Sequence, residues 1–312
     1  MTRAGFIGLA GRPNVGKSTL VNAIVGAKVA IVSDRPQTTR RAIRGIATDR
    51  PAGWQMVLVD LPGVQRPRDS LTQRMQRRVE RELRDADAAL LVVDGYQGVG
   101  PGDRFIARAL LGAKRGTPVV CAVNKCDRLR SPQTTTALAA AAELEAVDEL
   151  FPVSARTGAG LEPLIAHLAS LLPEGPFGYP PEDRSDLPSQ VHLAELVREQ
   201  VLRRTRQEIP HAVEVAVDEV KWRQRADQGA EGDRSFGEAE RLVEVHAQIW
   251  VETQSQKRIL VGKGGRMVRE IGTAARRELE RELGAHVFLN LQVEVREHWR
   301  RDDALLDRIG IE

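Results

Sequence analysis

The stretch GRPNVGKST, Gly11 to Thr19, constrains this chain more than any other. It fits the spacing G-x-x-x-x-G-K-[ST] and lies between an apolar run, Ala4–Leu9, and a helical pattern that starts at Lys17. A glycine loop in that setting turns backbone N–H groups inward onto a phosphate, and the helix terminus adds partial positive charge. Lys17 is expected to bridge the β- and γ-phosphates of a nucleotide, and the Ser18 hydroxyl to bind Mg²⁺. Gly11, Arg12, Pro13, Asn14, Val15, Gly16 and Thr19 complete the expected loop.

Such a loop needs strands around it, and the first half supplies them. Apolar runs at Ala4–Leu9, Gly45–Thr48, Trp54–Asp60, Ala88–Val93, Pro118–Asn124 and Leu150–Val153 read as strands. Helical patterns fall between most of them, at Lys17–Val25, Thr72–Leu83, Asp103–Ala113 and Leu161–Leu172. AALLVV is apolar without alternation, as a strand covered on both faces should be. The expectation is an α/β domain with an open, mostly parallel sheet and helices on both faces.

Further chemistry closes successive strands. DLPG follows WQMVLV: Asp60 is expected to hold Mg²⁺ through water, and the Gly63 N–H to meet the γ-phosphate, with Leu61 and Pro62 shaping the turn. NKCD, Asn124 to Asp127, closes VVCAV. A carboxylate at Asp127 can accept from guanine N1–H and its exocyclic amine, a pair that adenine lacks, which excludes an ATP-directed reading. The Lys125 stem would cover the base, Asn124 would tie this turn to the phosphate loop, and Cys126 falls between them. In SAR, Ser154 to Arg156, the Ala155 N–H is expected to meet guanine O6. The long connection Ala27–Arg41 holds a threonine pair, Thr38 and Thr39, able to reach Mg²⁺ and the γ-phosphate; Thr39 is the favoured member.

Residues 173–188, PEGPFGYPPEDRSDLP, carry five prolines and read as a linker between a domain at 1–172 and a second at 189–312. The second half reads as a helix (His192–Gln207), a strand (Val213–Lys221), a polar loop (Gln224–Gly237) and another strand (Leu242–Glu252). Next come a helix-like segment (Lys257–Val261), the turn GKGG, a helix to about Leu283 and the alternating strand His286–Val295. The closing EHWRRDDALLDRIGIE reads as a short amphipathic helix packed on this second domain.

Charge is unevenly spread. Residues 1–180 hold 24 basic and 17 acidic side chains, and residues 181–312 hold 22 and 26. Within that acidic half, Lys257–Arg277 holds seven basic residues against Glu270 alone, so positive charge focuses on the second glycine loop. Gly262–Gly265 has no hydroxyl residue after its lysine and therefore no Mg²⁺ ligand. A turn without bulky side chains can instead approach a sugar-phosphate backbone, while a neighbouring apolar groove accepts bases. Lys257, Arg258, Gly262, Lys263, Gly264, Gly265, Arg266 and Arg269 are the candidate RNA contacts. No run of 18 apolar residues or signal-peptide layout is present, and two cysteines, Cys121 and Cys126, fit a reducing cytosol. No cysteine or histidine pair has metal-ligand spacing.

GRPNVGKSTL, RPQTTRR, DLPG, NKCD and SAR, with VGKGGRMVREIGTAARRELERELGAHV, resemble the Era family, bacterial P-loop GTPases with a C-terminal KH domain. The resemblance implies a smaller α+β type II KH domain after the GTPase domain, with GTP, GDP and Mg²⁺ as ligands. It also implies 16S rRNA near its 3′ end and the small (30S) ribosomal subunit as partners, and a cytoplasmic monomer with peripheral contact at the inner face of the membrane. Val64 stands where many signalling GTPases carry a water-orienting glutamine, which implies slow hydrolysis without help. Asn14 is similar to an asparagine that coordinates K⁺ in some GTPases, making K⁺ a candidate second cation. Two rival readings stay open: an rRNA scaffold that binds GTP with negligible turnover, and a membrane-associated regulatory GTPase.

Overall fold

The computed structural model describes residues 1–35, 38–63, 68–113, 116–206, 208–224 and 241–311. They form two compact units, one built on Met1–Leu187 and the other on Pro188–Gly310.

The first unit runs β1 (Arg3–Ala10), α1 (Lys17–Val25), β2 (Ile43–Asp49), β3 (Trp54–Asp60), α2 (Ser70–Asp85) and β4 (Ala88–Asp94). It continues with α3 (Pro101–Ala113), β5 (Val119–Asn124), α4 (Ser131–Ala142), β6 (Glu149–Pro152) and α5 (Leu161–Leu171). The sheet order is β2-β3-β1-β4-β5-β6, and only β2 runs antiparallel to its neighbour. Helices α1 and α5 bury Leu20, Val21, Leu164 and Leu168 on one face. On the other, α2, α3 and α4 bury Val79, Leu83, Ile106, Leu110 and Ala137. Every residue of β4 is buried, which explains its unbroken apolar sequence. Register then positions the chemistry. Leu9 lies opposite Asp60 and Asp94 opposite Asn124, so the glycine loop, DLPG and NKCD leave the sheet at one edge.

The proline-rich segment is laid along the first unit rather than hanging free. Glu174 bridges to Arg3, and the Gln55 carboxamide accepts from the N–H groups of Gly178 (2.8 Å) and Tyr179 (2.9 Å). The Ile46 N–H donates to the Arg184 carbonyl (2.8 Å), Ser185 bridges to Gly45, and Arg44 pairs with Asp186 (3.2 Å). β2 is the outer strand, so its free backbone groups are what the few non-proline residues find.

The second unit runs α6 (Ser189–Arg204), α7 (Ile209–Ala212), β7 (Glu214–Gln224), β8 (Arg241–Val251), α8 (Gln254–Val261), α9 (Arg266–Leu283), β9 (His286–Val295) and α10 (Asp303–Arg308). β7 pairs antiparallel with β8, and β8 parallel with β9; the α8–turn–α9 crossover makes that parallel pairing feasible. Residues 225–240, which include most of the expected polar loop Gln224–Gly237, lie outside the described residues. Arg198 is fully buried on α6, with Glu195 at 2.5 Å and Glu214 at 3.6 Å. The closing segment packs where it was expected: Trp299 is fully buried and its indole N–H donates to the Ala212 carbonyl (3.0 Å).

Candidate functional site

A cleft of about 550 Å³ opens at the sheet edge where the glycine loop, DLPG, NKCD and SAR converge. Gly16 sits at φ +102°, and a methyl there would come within 2.3 Å of the Asn124 amide nitrogen, so only glycine fits. Lys17 is buried, and its ammonium donates to the carbonyls of Gly11 (3.0 Å) and Arg12 (3.1 Å). Burial holds that ammonium below the usual lysine range, and the Asp60 charge opposes the effect.

A cluster of oxygens lies beside it. The Ser18 hydroxyl donates to Asp60 Oδ2 (2.6 Å), the Thr39 hydroxyl donates to the same atom (3.2 Å), and the two hydroxyls are 3.2 Å apart. Asp60 is fully buried and its Oδ1 has no partner. Burial raises the Asp60 carboxyl above its ordinary range, while Lys17, Ser18 and Thr39 pull it down. An orphaned buried carboxylate oxygen among hydroxyls is the donor set that a hard cation such as Mg²⁺ completes. Thr38 turns away, donating to the Arg35 carbonyl (2.6 Å). Gly63 packs against Pro13, where an added methyl would meet the ring at 3.0 Å. Val64 lies outside the described residues.

The other end is built around Asn124, which is 2% exposed. Its Nδ2 donates to the Val15 carbonyl (2.9 Å), and its Oδ1 accepts from the N–H groups of Lys125 (2.8 Å) and Ala155 (2.9 Å). One carboxamide thus joins three loops. It also corrects an expectation: the Ala155 N–H is given to Asn124 rather than held for guanine O6, because the buried Oδ1 needs donors. Asp127 accepts from the Ser154 hydroxyl at Oδ1 (2.7 Å) and from Arg156 at Oδ2 (2.6 Å). Ser154 first, and Arg156 after it, hold the Asp127 carboxyl below its ordinary range, so it is an ionised acceptor.

Two anchoring residues escaped the sequence reading. Asp94 fixes the Lys125 ammonium (2.7 Å), which also donates to the Asn14 carbonyl (2.7 Å). Asp103 takes Arg12 (2.9 Å), so the Arg12 side chain points away from the cleft and only its backbone belongs to the phosphate loop. Asn14, at φ +64°, donates its amide to the Asp34 carbonyl (2.7 Å). Gly11, Val15, Asp60, Leu61, Pro62, Cys126 and Ser154 stand behind the lining, whereas Ile31, Val32, Ser33, Gln97 and Arg128 join it unannounced by any motif.

In the second unit, α8 ends at Gly262 (φ +71°), and Gly264 and Gly265 also hold positive φ before α9. A methyl on Gly262 would lie 2.9 Å from Met267 Cβ, so the turn closes only around glycine. Lys263 and Arg269 are exposed, as are Arg258 and the neighbouring Ile259, while Lys257 is half-buried. Arg266 pairs with Glu270 (2.8 Å), and so offers less free charge than the sequence count implied. Ile271, Ala275 and Leu279 form the buried stripe of α9.

Residues 6–125 match a family model described as 50S ribosome-binding GTPase, and residues 229–300 match a KH domain model. Over 309 residues the chain is 41% identical to GTPase Era of Mycolicibacterium smegmatis, covering 99% of this chain and 98% of that protein. The chain belongs to the Era family of GTPases. GTPase Era of Mycobacterium tuberculosis is 43% identical over 98% of each chain. Two Era crystal structures carry the likeness into three dimensions, each at 31% identity and a TM-score of 0.89. One is Era in complex with MgGDPNP and nucleotides 1506–1542 of 16S ribosomal RNA, covering 100% of this chain and 99% of that one. The other is a point variant of Aquifex aeolicus Era bound to GDP·AlF4⁻, covering 99% of each.

Proposed function

We propose that this Era-family chain is a GTP-hydrolysing, RNA-binding switch that acts in assembly of the 30S ribosomal subunit by engaging 16S rRNA near its 3′ end. The observation that carries the reading is the ionised Asp127 held by Ser154 and joined to the phosphate loop through Asn124. A guanine edge and a triphosphate are thereby presented to one rigid frame. Full-length likeness to an Era–16S rRNA complex supports the RNA half.

In this mechanism the Asp127 carboxylate accepts from the guanine ring. Lys17 leaves its loop carbonyls for the β- and γ-phosphate oxygens, where its charge opposes the charge that develops in phosphoryl transfer. Ser18, Thr39 and, through water, Asp60 would hold Mg²⁺, which neutralises phosphate oxygens. Asn14 is the candidate K⁺ ligand. The Gly63 N–H donates to the γ-phosphate, and its loss on hydrolysis relaxes the DLPG turn and the Thr39 segment together. The protein works in the cytoplasm; no helix among the described residues is long and apolar enough to cross a membrane, so contact with the bilayer would be peripheral.

The test pairs two measurements on the full chain. Single-turnover GTP hydrolysis should be faster in K⁺ than in Na⁺ and faster with 16S 3′-end RNA than without. Reversal of charge at Lys263 and Arg266 to glutamate should weaken that RNA by at least tenfold. Equal binding by the reversed variant would sink the RNA assignment, and equal rates in the two salts the K⁺ role.

A further inference from the structure

The positive surplus of the first unit has no role in either site described above. It gathers on the outer faces of α2 and α3, which pack side by side over one face of the sheet. On α2, Arg77, Arg81 and Arg84 point to solvent opposite the buried Met75, Val79 and Leu83. Their spacing of four and three residues puts them in one row, rising about 10 Å along the helix. On α3, Arg104 and Arg108 are exposed around Phe105, whose ring is 64% exposed.

None of these five guanidiniums has a carboxylate within ion-pair distance among the described residues, unlike the arginines Arg266, Arg276 and Arg281 of α9, each of which has one. Neighbouring acids do not cancel the row. Glu80 on the same face accepts from Gln76 (3.0 Å), Asp85 is exposed at the end of α2, and Glu143 and Glu145 face Arg104 and Arg108 only across a groove. A row of open guanidiniums with an aromatic ring among them matches a nucleic-acid backbone with an accessible base: planar forks suit phosphates, and Phe105 offers a stacking surface.

We infer that the α2–α3 face is a second RNA-binding surface, contacting the backbone of ribosomal RNA outside the segment gripped by the second unit. This rests on the proposed RNA function but uses different residues. α2 begins at the Asp69 cap shortly after DLPG, so the surface rides on the helix that the γ-phosphate sensor leads into.

The test uses the full chain with Arg77, Arg81, Arg84, Arg104 and Arg108 all changed to glutamine. The probes are a short single-stranded 16S 3′-end oligonucleotide and a long transcript that adds its flanking helices. Affinity is measured from 50 to 200 mM KCl. On the long transcript the variant should lose about four units of salt slope, so that the native protein weakens roughly a hundredfold more across that range. Oligonucleotide binding and RNA-free GTP hydrolysis should be unchanged. An unaltered slope on the long transcript overturns the inference, as does an equal loss on both probes. Anionic phosphatidylglycerol vesicles that lose binding while the transcript does not would reassign the face to lipid and overturn it as well. A native protein that ignores the oligonucleotide would instead refute the broader RNA reading.

Discussion

Asn124 is where one substitution should do most damage to nucleotide binding. Its side chain closes three hydrogen bonds of 2.8 to 2.9 Å at a position 2% exposed. Asn124→Ala strands the Val15 carbonyl and the Lys125 and Ala155 N–H groups. A buried polar group left unpaired costs about 1–3 kcal/mol, so full burial of all three would cost about 3–9 kcal/mol. The cleft is open on one side and water can reach part of the wound. A loss of about 2–3 kcal/mol in GDP binding follows, or roughly 30- to 150-fold in Kd. Asn124→Asp separates the components: it keeps an acceptor for both N–H groups and removes only the donor to Val15, setting a carboxylate against that carbonyl. It should weaken GDP by about tenfold, near one hydrogen bond. Titration with a fluorescent GDP analogue in excess Mg²⁺ reads both. An Asn124→Ala protein that binds GDP within threefold of native would refute the idea that this carboxamide holds the site together.

Asp127→Asn should weaken GTP strongly and admit xanthosine triphosphate, whose ring presents the complementary edge; competition between the two nucleotides measures it, and retained guanine preference contradicts the assignment. Asp60 gives a pH dependence. Its folded value lies above its ordinary one, so its contribution to stability is complete below the ordinary value and is lost as pH rises through the raised value. Cation binding needs the ionised form, so the Mg²⁺-dependent gain in GDP affinity should shrink as pH falls toward that raised value, and Asp60→Asn should abolish the trend. A gain equal at pH 5 and pH 8 would count against it. Burial pushes the Cys121 thiol up to about 12, whereas Cys126 is only partly buried. Iodoacetamide at pH 8 should therefore label Cys126 alone in the folded protein, more slowly with GDP present; modification of Cys121 at a similar rate would contradict the burial.

The chemistry of the nucleotide cleft was legible because parallel strands deliver it in order. Each motif sits in the turn at a strand's end, where a short run of residue types must meet a phosphate or a base. The anchors were not legible. Asp94 serves Lys125 and Asp103 serves Arg12 across 31 and 91 residues, and a lone carboxylate after an apolar run carries no mark of its partner. The destination of the Ala155 N–H depended on the Asn124 rotamer, which no spacing encodes. In the second unit the glycine turn announced itself by context, yet the Arg266–Glu270 pair reduced its free charge through a contact four residues away. The course of residues 173–187 was hidden for another reason. Prolines mark where a segment cannot pair, and they do not tell which strand edge its remaining N–H and carbonyl groups will meet.

That course bears on where the first unit can be cut. β2 is an outermost strand, and the Arg184–Asp186 stretch occupies the groups along its rim. A truncation ending at residue 172 would bare that rim and invite strand addition between copies, appearing as turbidity or higher oligomers. One ending at residue 187 would keep its own guard rail and stay dispersed.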